Sequence, residues 1–391
     1  MHSFKAVREF NERRALRVLF RRKRMSRADL ARALDLTRST AGSIVSGLIE
    51  AGLLRESGPG DDPEARLGRP SIGVELNPDG AFFVGAEIGV ERITTVVMDL
   101  AGAVRHRESE PFQGSGCAPE RATDGVAALV RRAWASVPDA RRTTEVSVAV
   151  PGFPGAGQEV FHAAILGWHG VPVAALLQDR LGRQARIVVE NDANAFAVAE
   201  TYLEDDAGAA DILVVLIENG VGCGIVNGGR LLRGQLGGAG EVGHVRLGGE
   251  GFVFDATRPG RLESYVGKGA LAARYVFYGG VWDGLEPFLE ALSDANDAAR
   301  RTAVDWARYT GLGLSILCCL LEPEKIVVGG SVSALFPHVA DAVAAELRSS
   351  LVDGFPMPRL TLAPETLGRP ALGAACLLHQ QMLSGDDRLD G

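Results

Sequence analysis

The run Ile187-Val188-Val189 ends abruptly in Glu190-Asn191-Asp192, and an alanine-rich stretch reaching Glu200 follows without a break. A short apolar run that stops in a polar cluster reads as a buried strand, and the pattern after it as a helix. A strand feeding directly into a helix belongs to an open α/β sheet. In such sheets ligands bind at the C-terminal ends of the strands, which is where these polar side chains stand. Asp192 is a candidate general base, because a carboxylate there can take a proton from a hydroxyl. Asn191 or Asp192 can equally cap the helix, and the two roles are compatible.

A chain of 391 residues is too long for one ordinary core, so two or three domains are expected. Its apolar share of 46% is that of a soluble protein. No run approaches the ~18 apolar residues of a membrane helix. The basic N-terminus has no apolar segment behind it, unlike a signal peptide. The cysteines (Cys117, Cys223, Cys318, Cys319 and Cys376) are scattered and lack CxxC spacing, the pattern of a reduced cytoplasmic protein. Charge is divided unevenly. Residues 1–58 hold 13 Lys+Arg against 6 Asp+Glu, and the remainder holds 28 against 43. A basic head on an acidic body points to an anionic polymer as the head's partner.

The head, residues 1–76, reads as three helices and a wing. Asn11 to Arg22 carries an amphipathic pattern. Ser26 can cap a second helix, and Thr37 a third. In the third, Ala41, Ile44, Val45 and Leu48 fall on one stripe. The opposite face presents Arg38, Ser39, Thr40, Ser43 and Ser46, with small Gly42 and Gly47 beside them. Such a slim helix can enter a major groove, where Arg reads guanine edges and Ser or Thr hold phosphates. Gly52 ends it. A strand at Leu53 to Glu56 and a returning one at Ile72 to Leu76 enclose residues 58–70, rich in Gly, Pro and charge. This is a winged helix-turn-helix, whose Arg66 and Arg69 can reach the minor groove or phosphates. A plain linker is the other reading of 58–70.

The body reads as α/β. Residues 80–200 hold strands near Phe82, Ile93, Val104, Val146 and Ile187, with helices over 121–136 and 171–181. Residues 208–370 restart the pattern at Ile212 to Ile217, followed by the glycine-rich Asn219 to Val226. A strand, a turn and a second strand thus occur twice, after Gly85 and after Ile217, which suggests two related lobes around a cleft. Residues 233–251 read as a surface loop containing Glu241 and His244. The last helix, 373–385, can return to the first lobe.

At this point the chain resembles the ROK family (repressor, open reading frame, kinase) in its transcriptional-repressor branch, over nearly its whole length. The head carries the Gly68-Arg69-Pro70 triplet. The body carries Pro151-Gly152, Leu166-Gly167-Trp168, Glu190 to Asn194, Gly238 to His244, Leu262 to Tyr265 and Val327 to Gly330. The resemblance implies an actin-like, sugar-kinase fold of two RNase H-like lobes. It also implies sugar contacts at Asn191, Asp192, Glu241, His244 and Glu263, all present. The family's first phosphate loop, D-I-G-G-T-K, is here Glu87-Ile88-Gly89-Val90-Glu91-Arg92. Val90 and Glu91 place bulk and negative charge where backbone N–H groups would cradle phosphate. The second loop, Asn219 to Gly224, keeps glycines and lacks the family's Thr. ATP use is therefore not expected. The family's zinc site keeps His244, but its cysteine positions are Phe254, Ala256 and Arg261. A structural zinc needs four N or S ligands, so no metal and no cofactor is expected. An Asn usual before Leu166 is Ile165, which points to a changed or a lost sugar.

These features lead to a set of expectations. The chain is a sugar-responsive transcriptional regulator, a repressor of carbohydrate genes and not an enzyme. It binds double-stranded operator DNA as a homodimer or homotetramer in the cytoplasm, away from membranes. Glu190 to Asn194 form a sugar-recognition edge in which Asp192 holds a hydroxyl. Two other readings stay open: a ROK sugar kinase with Asp192 as base, and a DNA-binding regulator that has lost its sugar.

Overall fold

The computed structural model describes residues 2–58, 73–138, 142–155, 158–203, 210–235, 237–248, 259–363 and 367–384. The head comprises α1 (His2–Arg22), β1 (Arg24–Ser26), α2 (Arg27–Leu34), α3 (Arg38–Glu50), β2 (Leu54–Ser57) and β3 (Gly73–Leu76). Its helix starts follow from local hydrogen bonding. Ser26 Oγ accepts from the Asp29 N–H at 3.1 Å, and Thr37 Oγ1 from the Thr40 N–H at 3.2 Å. Each bond satisfies a donor left orphaned at a helix start. Asp35, left-handed at φ 56°, closes α2. β3 pairs antiparallel with both β1 and β2. α1 begins well before Asn11, and β1 is an addition that no periodicity over so few residues could signal. The wing beyond Gly58, with Arg66 and Arg69, lies outside the described residues.

The first lobe continues with β4 (Phe82–Ile88), β5 (Arg92–Asp99), β6 (Val104–Pro111), α4 (Pro119–Ala135) and β7 (Arg142–Val150). A small antiparallel sheet follows: β8 (Phe153–Pro154), β9 (Val160–Ala163) and β10 (Trp168–Val171). Then come α5 (Val173–Leu181), β11 (Arg186–Asn191) and α6 (Asp192–Tyr202). The second lobe holds β12 (Ile212–Ile217), β13 (Val221–Asn227), β14 (Arg230–Leu231), α7 (Glu263–Val266), α8 (Lys268–Phe277), α9 (Leu285–Ser293), α10 (Asp297–Leu321), β15 (Lys325–Gly329), α11 (Phe336–Ser350) and β16 (Arg359–Leu362). α12 (Arg369–Ser384) ends the described chain.

The two five-stranded sheets have the same wiring. One runs β11-β7-β4-β5-β6 and the other β14-β13-β12-β15-β16. Each is a three-strand antiparallel meander extended by two parallel strands. The faint repeat in the sequence is thus a repeat of topology. The β8–β10 sheet and β16 escaped the sequence reading because strands of two to four residues carry too little alternation to stand out. α12 returns to the first lobe, packing on α6, β4, β5 and β7.

Two packing features matter for the site. The head's core (Leu16, Leu19, Phe20, Leu30, Ile44, Leu48) runs without a break into Leu377, Leu378 and Tyr202 of the first lobe. α10 is, by length and composition alone, the one helix among the described residues apolar enough to cross a membrane, at a mean hydropathy of 1.2 over its best window. Its Trp306, Leu314 and Leu317 are instead buried in the second lobe's core.

Candidate functional site

β11 runs parallel to β7 and carries Glu190 at its end, with Asn191 and Asp192 reaching the cleft between the lobes. The strand's alternation splits their fates. Asn191 is the helix cap: its Oδ1 accepts from the Asn194 N–H at 2.9 Å, and its Nδ2 donates to the Gly152 carbonyl at 3.0 Å. Asp192 is therefore free of the capping role and lines the cleft, with Oδ1 accepting from the Ala193 N–H at 2.8 Å. Glu190 is 4% exposed. Its Oε1 accepts from the Asn191 N–H and from Asn194 Nδ2, and its Oε2 meets Arg233 Nε and Nη2, both at 2.9 Å. Glu190 and Asn194 are thus supports that tie the first lobe to Arg233 of the second. Of the stretch Glu190 to Asn194, only Asn191 and Asp192 line the cleft.

The cleft has a volume of about 230 Å³ and draws on both lobes. Glu87, at the end of β4, faces Asp192 from the first lobe. Glu218, at the end of β12, faces it from the second, where it accepts from the Ser331 N–H at 2.7 Å and from Ser331 Oγ at 2.5 Å. Burial pushes the Glu87 carboxyl up to about 8, and the negative charges of Asp192 and Glu218 add to this. Burial likewise pushes Asp192 up to about 7, with Glu241 and Glu218 adding and the Ala193 N–H opposing. Glu218 and Glu241 are raised too, burial being the main cause. Like charges lining one cleft disfavour one another's ionisation. Glu87 and Glu218 were not read as ligand-facing in the sequence. Their signal was the same one that marked Asp192, a polar residue ending a buried strand.

Glu241, His244 and Glu263 come together on the second lobe's wall. The loop expected on the surface turns inward here, burying Val242 and Gly243. Gly240 makes this possible at φ 92°, with the Cys223 carbonyl where a side chain would stand. His244 Nδ1 lies 3.1 Å from Glu263 Oε1, and its Nε2 lies 3.7 Å from Glu241 Oε2. The Glu263 hydrogen bond raises the imidazole pKa, Glu241 adds to it, and burial and Arg261 oppose it. Arg261 Nη1 also stands 2.8 Å from His244 Nδ1, and that nitrogen serves one partner at a time. Arg261 occupies one of the positions where the resemblance put a zinc cysteine. Its guanidinium sits against the histidine, so these residues do not fit a zinc ion. Phe254 and Ala256 lie outside the described residues.

Val90 and Glu91 line the cleft as expected. Glu91 is ion-paired with Lys268 of the second lobe, so a carboxylate and its partner cation stand at that turn. Ile165 also lines the cleft and fills the space over Gly220, 2.9 Å from where a Cβ would be.

On the head, Arg38, Ser39, Thr40, Ser43 and Ser46 are all exposed on one face of α3, while Ala41, Ile44, Val45 and Leu48 are buried. Ser39 and Thr40 share hydrogen bonds with the Thr37 hydroxyl at 3.1 and 2.9 Å, which anchors them at the helix start. Gly47 departs from the expected pattern, because the Arg8 guanidinium of α1 occupies the space beside it.

The ROK family model matches residues 83–381. The xylose repressor of Bacillus spizizenii is 24% identical over 96% of this chain and 97% of its own. The glucokinase of Streptomyces coelicolor is 28% identical over 76% of this chain and 97% of its own. Among solved structures, a ROK family transcriptional regulator, a homolog of the E. coli MLC protein, has a TM-score of 0.78 and 21% identity, with 97% of each chain covered. That likeness fixes the fold as an actin-like, two-lobed body behind an N-terminal helical head. The kinase aligns with three quarters of the chain, whereas the repressor and the regulator run along nearly all of it. The chain belongs to the ROK family.

Proposed function

We propose that this chain is a sugar-responsive, DNA-binding transcriptional repressor whose kinase-like body binds sugar without using ATP. One observation carries the reading: α6 joins the cleft to the head. It starts at Asp192 and ends at Tyr202, whose ring stacks on Phe20 of α1 with centroids 5.2 Å apart. Arg21 Nη1 donates to the Tyr202 carbonyl at 3.1 Å, and the Tyr202 hydroxyl meets His379 Nδ1 at 2.6 Å. Burial pushes His379 down to about 4, so it is neutral at physiological pH. With Nδ1 accepting from the Tyr202 hydroxyl, its Nε2–H donates to the Leu100 carbonyl at 2.9 Å. A change at the helix start is delivered to α1 through packed, hydrogen-bonded groups. A sugar that binds the two lobe arrangements differently shifts their populations, and with them the spacing of the heads.

Asp192, Glu241, His244 and Glu263 hold sugar hydroxyls, and Asn191 positions Asp192 as well as facing the ligand. Arg38, Ser39, Thr40, Ser43 and Ser46 read or grip double-stranded DNA, with Arg66 and Arg69 as further contacts from the wing. The protein acts in the cytoplasm, in keeping with its free thiols. It works as a homodimer or homotetramer on a palindrome whose half-sites lie about one or two DNA turns apart.

Two measurements test this reading. A thermal-shift screen that includes D-xylose and D-glucose should find a stabilising sugar, and Asp192→Ala should abolish that shift. A sugar that still stabilises Asp192→Ala would remove Asp192 from the site. For the head, DNA fragments selected by the protein from a random pool should bind Arg38→Ala about 5- to 150-fold more weakly at fixed salt, the loss of one bidentate base contact. Unchanged affinity would mean that α3 is not the reading helix.

The second reading, a sugar kinase, is favoured by Asp192, a carboxylate with a pKa near 7 at a strand end, as a general base requires. A coupled ATPase assay over hexoses and pentoses separates the two. Turnover that is lost in Asp192→Asn would replace the repressor-only reading.

A further inference from the structure

We infer that the cleft takes an uncharged sugar and rejects the phosphorylated form of the same sugar. This rests on the sugar-binding reading above and adds the ligand's charge to it. Glu87, Glu91, Asp192, Glu218, Glu241 and Glu263 all face the cleft, and among the described residues that line it Arg92 is the one Lys or Arg. The other cations nearby are engaged: Lys268 by Glu91, Arg261 by His244, and Arg233 by Glu190 outside the cleft. Arg92 itself gives Nε to Ser109 Oγ at 2.9 Å and has Glu91 as its chain neighbour.

Phosphate sites are built from free backbone N–H groups at a helix start, or from guanidinium pairs. Here the start of α6 has its N–H groups taken. The Ala193 N–H donates to Asp192 Oδ1, and the Asn194 N–H to Asn191 Oδ1. At the turn after β4, the Gly89 N–H donates to the Arg92 carbonyl at 2.9 Å. A phosphoryl group brought in here meets carboxyl groups on both lobes, while the N–H groups of Gly89, Ala193 and Asn194 are already committed. Sugar hydroxyls are a different case. Each can donate to a carboxyl oxygen, and Glu87, which accepts no hydrogen bond from any described residue, is open to accept one.

The test is calorimetric titration of the full chain with matched pairs: D-glucose against glucose 6-phosphate, and N-acetylglucosamine against its 6-phosphate. D-Xylose is included as a neutral ligand without a 6-position. For any pair that binds, the neutral member should bind at least 100-fold more tightly. Glu91→Gln should narrow that gap at least ten-fold. Phosphate esters binding as well as, or better than, the free sugars would overturn the inference and leave the sugar reading standing. Equal changes of both members in Glu91→Gln would overturn it too, because discrimination would then not come from charge at the turn. Binding of no sugar, neutral or phosphorylated, would instead defeat the sugar reading and this inference with it.

Discussion

Gly373→Ala is expected to destabilise the folded chain by roughly 3–5 kcal/mol, above the range of about 0.5–3 kcal/mol that most substitutions cost. Gly373 sits in α12 where that helix crosses α6. A Cβ there would stand 1.6 Å from the Ala195 carbonyl oxygen and 2.4 Å from its carbon. Those are backbone atoms, so no side chain can swing aside to make room. Ala149, Ala195 and Ala374 fill the rest of this crossing and are fully buried. The two helices would have to part, and close-packed interiors transmit such a displacement widely. Chemical denaturation of the purified variant measures the cost. A midpoint within a few tenths of a molar of the parent's would show that the crossing is looser than described. Because α6 also reaches the head at Tyr202, a variant that does fold should lose the coupling between sugar and DNA before it loses either binding alone.

The second large effect is in the pH dependence of stability. Glu87 has a pKa raised from 4.5 to about 8, and Asp192 from 3.8 to about 7. A carboxyl whose folded pKa lies above its unfolded value keeps its proton better in the folded state. Its contribution is full below the unfolded pKa and is lost as pH rises through the folded one. The ligand-free protein should therefore lose stability between about pH 5 and pH 8. One pKa unit is about 1.4 kcal/mol. The two groups are coupled and border an open cleft, so the total falls to roughly 2–4 kcal/mol rather than a simple sum. Glu87→Gln removes the charge without the shape. It should be more stable than the parent at pH 8 by about 1–3 kcal/mol, with little difference at pH 5. Urea denaturation at the two pH values checks this. An equal difference at both would mean that the carboxyl does not titrate in the cleft.

Much of the architecture was legible in the residues. The caps Ser26 and Thr37, the stripe on α3, the strand at Ile187 and the restart at Ile212 each act over a few neighbours. Short-range hydrogen bonding and periodicity are written directly in sequence. The resemblance supplied Asn191, Asp192, Glu241, His244 and Glu263, and all five line one cleft. The sequence reading failed where an outcome depended on a distant partner. Glu190 was grouped with Asp192 because the two are neighbours in the chain. It is turned away and held by Arg233, which lies 43 residues further on. Residues 233–251 looked like surface because they are glycine-rich and polar, yet Gly240 lets part of them form a wall.

What the sequence determined by itself is the order of elements: a basic three-helix head, then a strand-and-helix pattern that occurs twice. Each step of it is a local choice between a helical and an extended backbone. What only the tertiary structure decided is the charge of the cleft. Glu87, Asp192 and Glu218 come from three separate strand ends and meet because the lobes fold over one another. A carboxyl's protonation depends on the water removed from around it and on the charges brought close, and both are properties of the assembled cleft rather than of any stretch of chain.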